Sequence, residues 1–293
     1  MRAANRRQHY VPQMYLKRFT EDGFHIYQFD TNTQKSKRYH IRNVCFEDHF
    51  YTSAELGSVE GSDPEFECWL SRAESKAGEA LKHLLEESSA ATDQSNAPVL
   101  ECLAPGEQTR FFLACFMALQ VLRTSLFREW YLDLCRGVHD ALGPFAYSSG
   151  SEAAQLAEFL ERQHENPATA HTAFICNSDA LESIACSFDA LYEWVMYYSP
   201  SGYEMVTSDS PVVRRFPGAE DKTGGFATPG QEIILPISKD GALVLRNYRL
   251  DPDKQDNGRM LEAAVDEVIA WNSLQLRQCR RHVYSAKDDF AWA

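Results

Sequence analysis

Apolar residues recur at every third or fourth position through the middle of the chain, which is the spacing of one helix face. Asp63 and Pro64 are a typical helix cap and first-turn residue, and they open the first long helix. Pro105 opens the central helix, which is apolar on nearly all sides between Phe111 and Leu122 and is therefore expected to be buried. The predicted helices lie within residues 10–19 and over 63–87, 105–139, 151–165, 167–197 and 259–275.

The pattern changes towards both ends, where short runs rich in Val, Ile, Tyr and Phe are separated by turn residues. Two such runs flank a polar connection at 30–36, which predicts a β-hairpin. Lys239-Asp240-Gly241 predicts a second hairpin, and the polar stretch 88–98 predicts a mobile loop. The predicted strands are 23–30, 37–41, 204–213, 232–238, 242–247 and 281–285.

These elements predict an α+β fold in which a helical middle packs on a mostly antiparallel sheet. The N-terminal hairpin and the C-terminal strands are expected to share that sheet. We expect one compact domain over residues 1–293, made of a hairpin segment (1–52), a helical segment (63–199) and C-terminal strands with one helix (203–293).

Composition limits the class of protein. Hydrophobic residues make up 44% of the chain, which is ample for a packed core. No apolar run reaches the roughly 18–20 residues that cross a bilayer, and the N-terminus lacks the apolar region of a secretory signal. We therefore expect a cytoplasmic protein without a membrane partner. Eight cysteines without a CxxC pair or zinc-site spacing are expected to be reduced, buried thiols.

The charge distribution is uneven. The formal net charge of −13 argues against general binding to duplex nucleic acid. Residues 1–42 nevertheless carry a net +6, from nine Lys and Arg against three acids, and a second basic group lies near the C-terminus. These basic residues either pair with the acidic body or form a local positive surface for a phosphate-bearing partner, a small molecule or nucleic acid.

Polar residues on the most apolar helix are the first candidates for chemistry. Gln120 and Arg123 are three apart and share one face, with Thr124 beside them. A buried guanidinium needs an internal acid, backbone carbonyls or a ligand anion. Because its planar fork suits phosphate or carboxylate, a binding role for Gln120, Arg123 and Thr124 is the functional interpretation.

Further candidates lie at a strand end, at the N-terminus and in the last helix. Ser208 and Asp209 end a predicted strand, where an Asp is either a turn former or a general base or metal ligand. His9, followed by Tyr10, is either a hydrogen-bonded structural residue or a catalytic group. Asn272 interrupts an apolar helix and must bond to something specific.

Three further signals are weaker, and several motifs are missing. Glu74 and His171 lie on predicted helices and are most simply structural. Arg277 and His282 have a spacing found in helical ribonucleases, but here it runs out of a helix into a predicted strand. The chain contains no Walker, GxGxxG, GxSxG, HExxH or kinase motif. Common nucleotide-dependent and hydrolase classes therefore have no motif support.

Two segments, His9-Tyr10-Val11-Pro12-Gln13 and Thr207-Ser208-Asp209-x-Pro211-Val212, resemble motifs of a bacterial family, domain-of-unknown-function family 4238. The likeness extends along most of the chain. It includes Phe50-Tyr51-Thr52, Glu74, Gln120-x-x-Arg123-Thr124, Leu235-Pro236 and Asn272. One departure is Ser125, where the family pattern has Pro, and it weakens the expectation of a helix kink there. The resemblance implies no established activity, but it implies that these residues form one recurring constellation.

Two functions fit these residues. The first is a phosphodiesterase or nuclease, with His9 as general acid or base and Asp209 as base or metal ligand. Tyr10, Gln120, Arg123, Thr124, Ser208 and Asn272 would then bind and position the ligand. A divalent metal is compatible with Asp209 and Glu74, although no metal-site spacing supports it. The alternative is a non-catalytic module that senses a nucleotide or small anion.

Overall fold

The structure is a computed structural model that describes residues 7–51, 64–91, 108–143, 151–219, 222, 224–247 and 257–290. Its helices are α1 (Gln13–Leu16), α2 (Pro64–Ala91), α3 (Gln108–Leu122), α4 (Ser125–Leu142), α5 (Glu152–Glu165), α6 (Pro167–Ile175), α7 (Ser178–Leu191) and α8 (Val265–Gln278). Its strands are β1 (Arg7–His9), β2 (His25–Asp30), β3 (Lys35–His40), β4 (Phe46–Asp48), β5 (Glu193–Tyr198), β6 (Thr207–Ser208), β7 (Val213–Arg215), β8 (Glu232–Ser238), β9 (Gly241–Arg246), β10 (Met260–Glu262) and β11 (His282–Ser285).

A four-stranded sheet in the order β3-β2-β11-β6 joins the two ends of the chain. All its pairings are antiparallel, and Val283 of β11 lies opposite Phe29 on one side and Ser208 on the other. The α+β class is therefore confirmed. The N-terminal hairpin shares its sheet with the C-terminal strands β6 and β11, whereas β7, β8 and β9 pair in a second sheet and not in the shared one. The strands β1 and β4 form a separate antiparallel pair.

A second, five-stranded sheet has the order β10-β5-β9-β8-β7, with only β10 and β5 parallel. Its strand β5 corrects the sequence prediction, because the helix expected over 167–197 is α6, α7 and then this strand. Alternate residues of β5 belong to two different cores, Trp194 with α3 and α7, and Val195 with α8. A strand buried on both faces shows no polar alternation, so its apolar run could not be told from a helix by periodicity.

The predicted central helix over 105–139 is two helices, α3 and α4, bent by 63° at residues 123 and 124. Thr124 ends the first helix and caps the second, because its hydroxyl oxygen accepts from the Phe127 N–H over 3.1 Å. The kink thus occurs with Ser125 where the family pattern has Pro. Similarly, the helix predicted over 259–275 begins later, at Val265, after β10.

Three predictions concern other parts of the chain. The stretch 88–98, predicted as a loop, is helical as far as Ala91, and the rest lies outside the described residues. The seven described cysteines are unpaired, but only Cys45 and Cys135 are buried, so the expectation of buried thiols is wrong for the rest. Across the described chain, no single helix could cross a bilayer by length and hydropathy, and only α3 and α4 taken together meet those criteria.

Candidate functional site

Arg123 is fully buried at the bend between α3 and α4, where three groups of the protein accept from its guanidinium. Nη1 donates to Glu74 over 2.8 Å, Nη2 to the backbone carbonyl of His9 over 2.6 Å, and Nε to the Tyr51 hydroxyl over 3.1 Å. The side chain is 1% exposed, so the internal acid and carbonyl satisfy the charge that burial would otherwise penalise. Its partners tie α2 and the N-terminal segment to the bend.

The His9 ring packs on Phe46 and bonds to the backbone of Arg42. Burial lowers the pKa of this imidazole below its usual 6.5, which favours the neutral ring. Its Nε2 is buried, and no partner for it lies among the described residues. Tyr10, next in the chain, is a core residue that packs on Phe50.

Asp209 follows β6, and its carboxylate is occupied by the backbone. It accepts from the N–H groups of Arg280, Arg281 and His282 at 2.7, 2.8 and 2.8 Å. The residue is 1% exposed. Burial raises the pKa of Asp209 above its usual 3.8, and the three N–H groups act in the opposite direction. This arrangement fixes the turn that leads from α8 into β11.

Asn272 and Ser208 are also held by neighbouring groups. Asn272 accepts from the Val206 N–H over 3.0 Å and donates to the Glu204 carbonyl over 2.9 Å. The Ser208 hydroxyl donates to Gln275 over 2.7 Å. The structure thus brings the sequence candidates into two internal networks. One lies around Arg123, with His9 and Glu74, and the other lies between α8 and residues 204–211.

His171 belongs to the first network and locks α6 to the bend. Its Nε2 donates to the Leu122 carbonyl over 2.7 Å, and its Nδ1 accepts from Arg128 over 3.3 Å. Burial lowers the pKa of His171 to about 3. Among the residues that the structure describes, no group of three His, Cys, Asp or Glu side chains could hold a metal ion.

A large cleft opens beside the bend between α3 and α4, with a volume of about 1420 Å³. It lies beside β7, the edge strand of the five-stranded sheet, between the α3–α4 bend on one side and the second half of α8 on the other. Residues 210–218 and 224–226 complete its wall. Of the candidates from sequence, Gln120 and Thr124 line this cleft, and His9, Asp209, Arg123 and Asn272 do not.

The charges in the cleft wall are all positive among the described residues. Arg214, Arg215, Lys222 and Arg277 line it, and no described Asp or Glu does. Arg215 pairs with Glu232 outside the wall, at 2.7 Å. Arg214 and Lys222 donate to backbone carbonyls and lie over the rings of Phe226 and Phe216. Within the described chain, neither they nor the exposed Arg277 pairs with a carboxylate.

Two buried polar side chains line the cleft without a partner. Gln120 is fully buried, and among the described residues neither its amide oxygen nor its amide nitrogen has a hydrogen bond. The same holds for the hydroxyl of Ser210. An unpaired buried polar group costs about 1–3 kcal/mol, so a ligand that satisfies these groups gains affinity. The sequence signal for Gln120, an amide on an apolar helix, points to this position.

The start of α4 also borders the cleft. Thr124 caps Phe127, which leaves the N–H groups of Ser125 and Leu126 without an acceptor inside the helix. The positive end of the helix dipole lies here, close in sequence to Gln120. The rest of the wall is rich in aromatic side chains, including Phe127, Trp130 and Phe226.

Sequence reasoning missed most of the wall, because Arg214 on β7 and the residues that follow it, Lys222 and Phe226, belong to no motif. Arg277 was noted only for its spacing from His282. These residues lie together because β7 is an edge strand of its sheet. Its position is set by pairing with β8, which local sequence patterns do not reveal.

Comparison with known proteins gives a family and nothing narrower. No curated protein and no solved structure significantly matches the chain. The model of the family described as "Protein of unknown function (DUF4238)" matches residues 7–289. This match covers nearly the whole chain, and it includes both networks and the cleft wall. The chain therefore belongs to the DUF4238 family.

Proposed function

We propose that this protein is a non-catalytic binding module for a small phosphate-bearing ligand, which it holds in the cleft beside β7. The observation that carries the proposal is the positive charge of the cleft wall. In a chain with a net charge of −13, the described cleft residues include four cations and no carboxylate. Such a local reversal concentrates anions at one place on an otherwise repelling surface.

The cations are suited to this task. Arg214, Lys222 and Arg277 have no carboxylate partner within the described chain, so a bound phosphate would not have to displace one. The free N–H groups at the start of α4 add hydrogen-bond donors of the kind that bind phosphate at helix N-termini. Gln120 supplies a second, independent sign of a ligand, because its buried amide has no partner within the described chain.

The chemistry of the wall favours binding over hydrolysis. No described His, Asp or Glu lines the cleft, and burial raises the pKa of the Cys279 thiol to about 12. A general acid or base near neutral pH is therefore missing among these residues. The phosphodiesterase hypothesis requires the ligand at His9 and Asp209, whose positions lie outside this wall.

The proposal is tested by calorimetric titration with AMP, ribose 5-phosphate and inorganic pyrophosphate. We expect binding that weakens about tenfold in Arg277→Gln, since one charge-assisted contact is worth roughly 1.4 kcal/mol or more. Arg162→Gln is the matched control, because that arginine lies on α5 and pairs with Glu158 on the surface. Equal affinity in the parent and Arg277→Gln, or no binding at all, would contradict the proposal.

A turnover assay distinguishes the binding module from the phosphodiesterase. The protein is incubated with each ligand and with single-stranded oligonucleotides, with Mg²⁺ or with chelator, and the products are analysed by mass. We expect every compound to be recovered unchanged. Cleavage that disappears in His9→Gln would support the phosphodiesterase hypothesis instead.

A further inference from the structure

We infer that the ligand is a nucleotide, whose base pairs with the Gln120 amide while its phosphate faces the cations of the cleft wall. This inference rests on the proposed function and adds the class of ligand. It starts from two atoms of one buried side chain that have no partner in the part of the chain that the structure describes.

A primary amide has a hydrogen-bond acceptor and a donor side by side in one plane. Because both atoms of Gln120 are buried and have no partner among the described residues, a group that matches them offers a donor and an acceptor side by side. The edge of a nucleobase has this pattern, and Gln is a usual partner of adenine for that reason. Sugar phosphates and alkyl phosphates have no such planar pair.

The amide can rotate by half a turn, which exchanges the positions of its oxygen and nitrogen. It can therefore pair with adenine, which presents an amino donor beside a ring acceptor, or with guanine, which presents a carbonyl beside a ring N–H. The geometry thus selects a base over other groups, but not one purine over the other. The buried hydroxyl of Ser210, which likewise has no partner among the described residues, is available for a further polar atom of the ligand.

Aromatic rings in the wall suit the faces of a base. Phe127 and Trp130 lie on the first turns of α4, the helix that begins just after Gln120, and Phe174 packs on Phe127. Trp130 is 55% exposed, so a base stacked on its ring would cover apolar surface that now faces solvent. Stacking on an aromatic ring is favourable for every base, because each base has an aromatic face.

The same helix offers one competing interpretation. Trp130 and Leu126 begin a row of exposed apolar residues that continues along α4 to Leu134 and Val138. The alkyl chain of a ligand could pack along this row. An alkyl chain would leave the amide of Gln120 unsatisfied, whereas a base satisfies it, and the amide therefore favours the nucleotide.

The experiment compares ligands that share a phosphate and differ in the rest. AMP and GMP are titrated into the full chain by calorimetry beside ribose 5-phosphate and dodecyl phosphate. We expect both nucleotides to bind at least tenfold more tightly than ribose 5-phosphate. Gln120→Met, which keeps the length of the side chain and removes both polar atoms, should abolish this advantage.

Two further variants make the result specific. Gln163→Met, on α5 and outside the cleft wall, is the matched control and should bind as the parent does. Gln120→Glu offers two acceptors and no donor, so it should bind GMP, whose guanine has two adjacent donors, more tightly than AMP. Circular dichroism confirms that each variant is folded.

The outcomes separate this inference from the proposed function. If phosphates bind but AMP is no tighter than ribose 5-phosphate, or if Gln120→Met binds AMP as the parent does, the nucleotide inference fails and the proposed function stands. Tighter binding of dodecyl phosphate than of AMP also overturns the inference. If none of the phosphates binds, the proposed function itself fails.

Discussion

The Arg123 guanidinium donates to the backbone carbonyl of His9 over 2.6 Å, and so joins the bend between α3 and α4 to the strand β1. The same guanidinium bonds to Glu74 on α2. These contacts hold the bend through residues that do not line the cleft. The position of Gln120 and of the start of α4, which form part of the cleft wall, therefore depends on a buried charge that touches no ligand there.

Replacement of Arg123 by Met should destabilise the protein by about 3 kcal/mol or more, because removal of one partner of a buried ion pair leaves the other uncompensated. Glu74, Tyr51 and the carbonyl of His9 would all lose their hydrogen bond. Urea denaturation of the parent and variant measures this difference. In the control Arg162→Met, which removes a surface pair on α5, the change should stay within about 0.5 kcal/mol. Equal changes in the two variants would contradict the structural role.

Thr124→Val should lower the free energy of unfolding by about 1 kcal/mol, the usual cost of a lost N-cap. The hydroxyl of Thr124 accepts from the Phe127 N–H and donates to the Val121 carbonyl, so it serves both helices at the bend. Valine has the same shape without these bonds. Thr124→Ser restores the hydroxyl and should recover most of the stability in the same urea experiment. If serine is no better than valine, the cap does not determine the bend.

His171 should make the protein less stable as the pH falls. Burial among Arg128, Arg123 and the aromatic rings of Phe50 and Phe127 lowers its pKa from the usual 6.5 to about 3. Between these values the unfolded chain binds a proton that the folded protein does not. The free energy of unfolding therefore falls as pH decreases from 6.5 towards 3, by at most about 1.4 kcal/mol per pH unit.

The variant His171→Gln tests this linkage. Glutamine can still donate to the Leu122 carbonyl but does not titrate, so the slope of unfolding free energy against pH should be smaller than in the parent between pH 6.5 and 4. Phe19→Leu is the control, because it removes a buried ring that packs on Tyr15 and is not among the rings that pack on His171. It should lower stability by a similar amount at every pH in this range. An unchanged slope in His171→Gln would show that the imidazole is not the group responsible.

Local signals predicted the parts of the fold that depend on neighbouring residues. The hairpin of β2 and β3 follows from its turn, and α2 from Asp63 and Pro64. By contrast, β5 was taken for helix because both of its faces are buried by elements far away in sequence. The residues alone predicted one helix over 105–139, and Ser125 weakened the kink expected from the family resemblance. The bend forms without Pro, with the Thr124 hydroxyl as the cap of the second helix.

The candidate site shows the same limit. Arg123, Asp209 and Asn272 stood out because polar groups in apolar surroundings need partners, and the structure supplies those partners from inside the protein. Composition cannot tell whether such a partner is a backbone N–H or a ligand. Gln120 gave the same signal, yet its partner is missing among the described residues. Only the three-dimensional arrangement separates the two cases.

Asp209 provides the sharpest test of that distinction. Its two oxygens accept three backbone N–H groups of residues 280–282, and asparagine can replace only one of these oxygens. The new amide group would face at least one N–H, which leaves a buried donor unsatisfied. Asp209→Asn should therefore lower the free energy of unfolding by about 2 kcal/mol. The control Asp140→Asn changes an exposed carboxylate on α4 and should have little effect.

Ligand binding by Asp209→Asn shows whether the carboxylate supports the fold or acts on the ligand. At a temperature where Asp209→Asn is fully folded by circular dichroism, we expect it to bind AMP with the affinity of the parent, because its carboxylate lies outside the cleft wall. A loss of stability with binding retained assigns the carboxylate to the turn between α8 and β11. If stability is instead unchanged while binding or oligonucleotide cleavage disappears, the carboxylate acts on the ligand, and the hydrolase hypothesis becomes the stronger one.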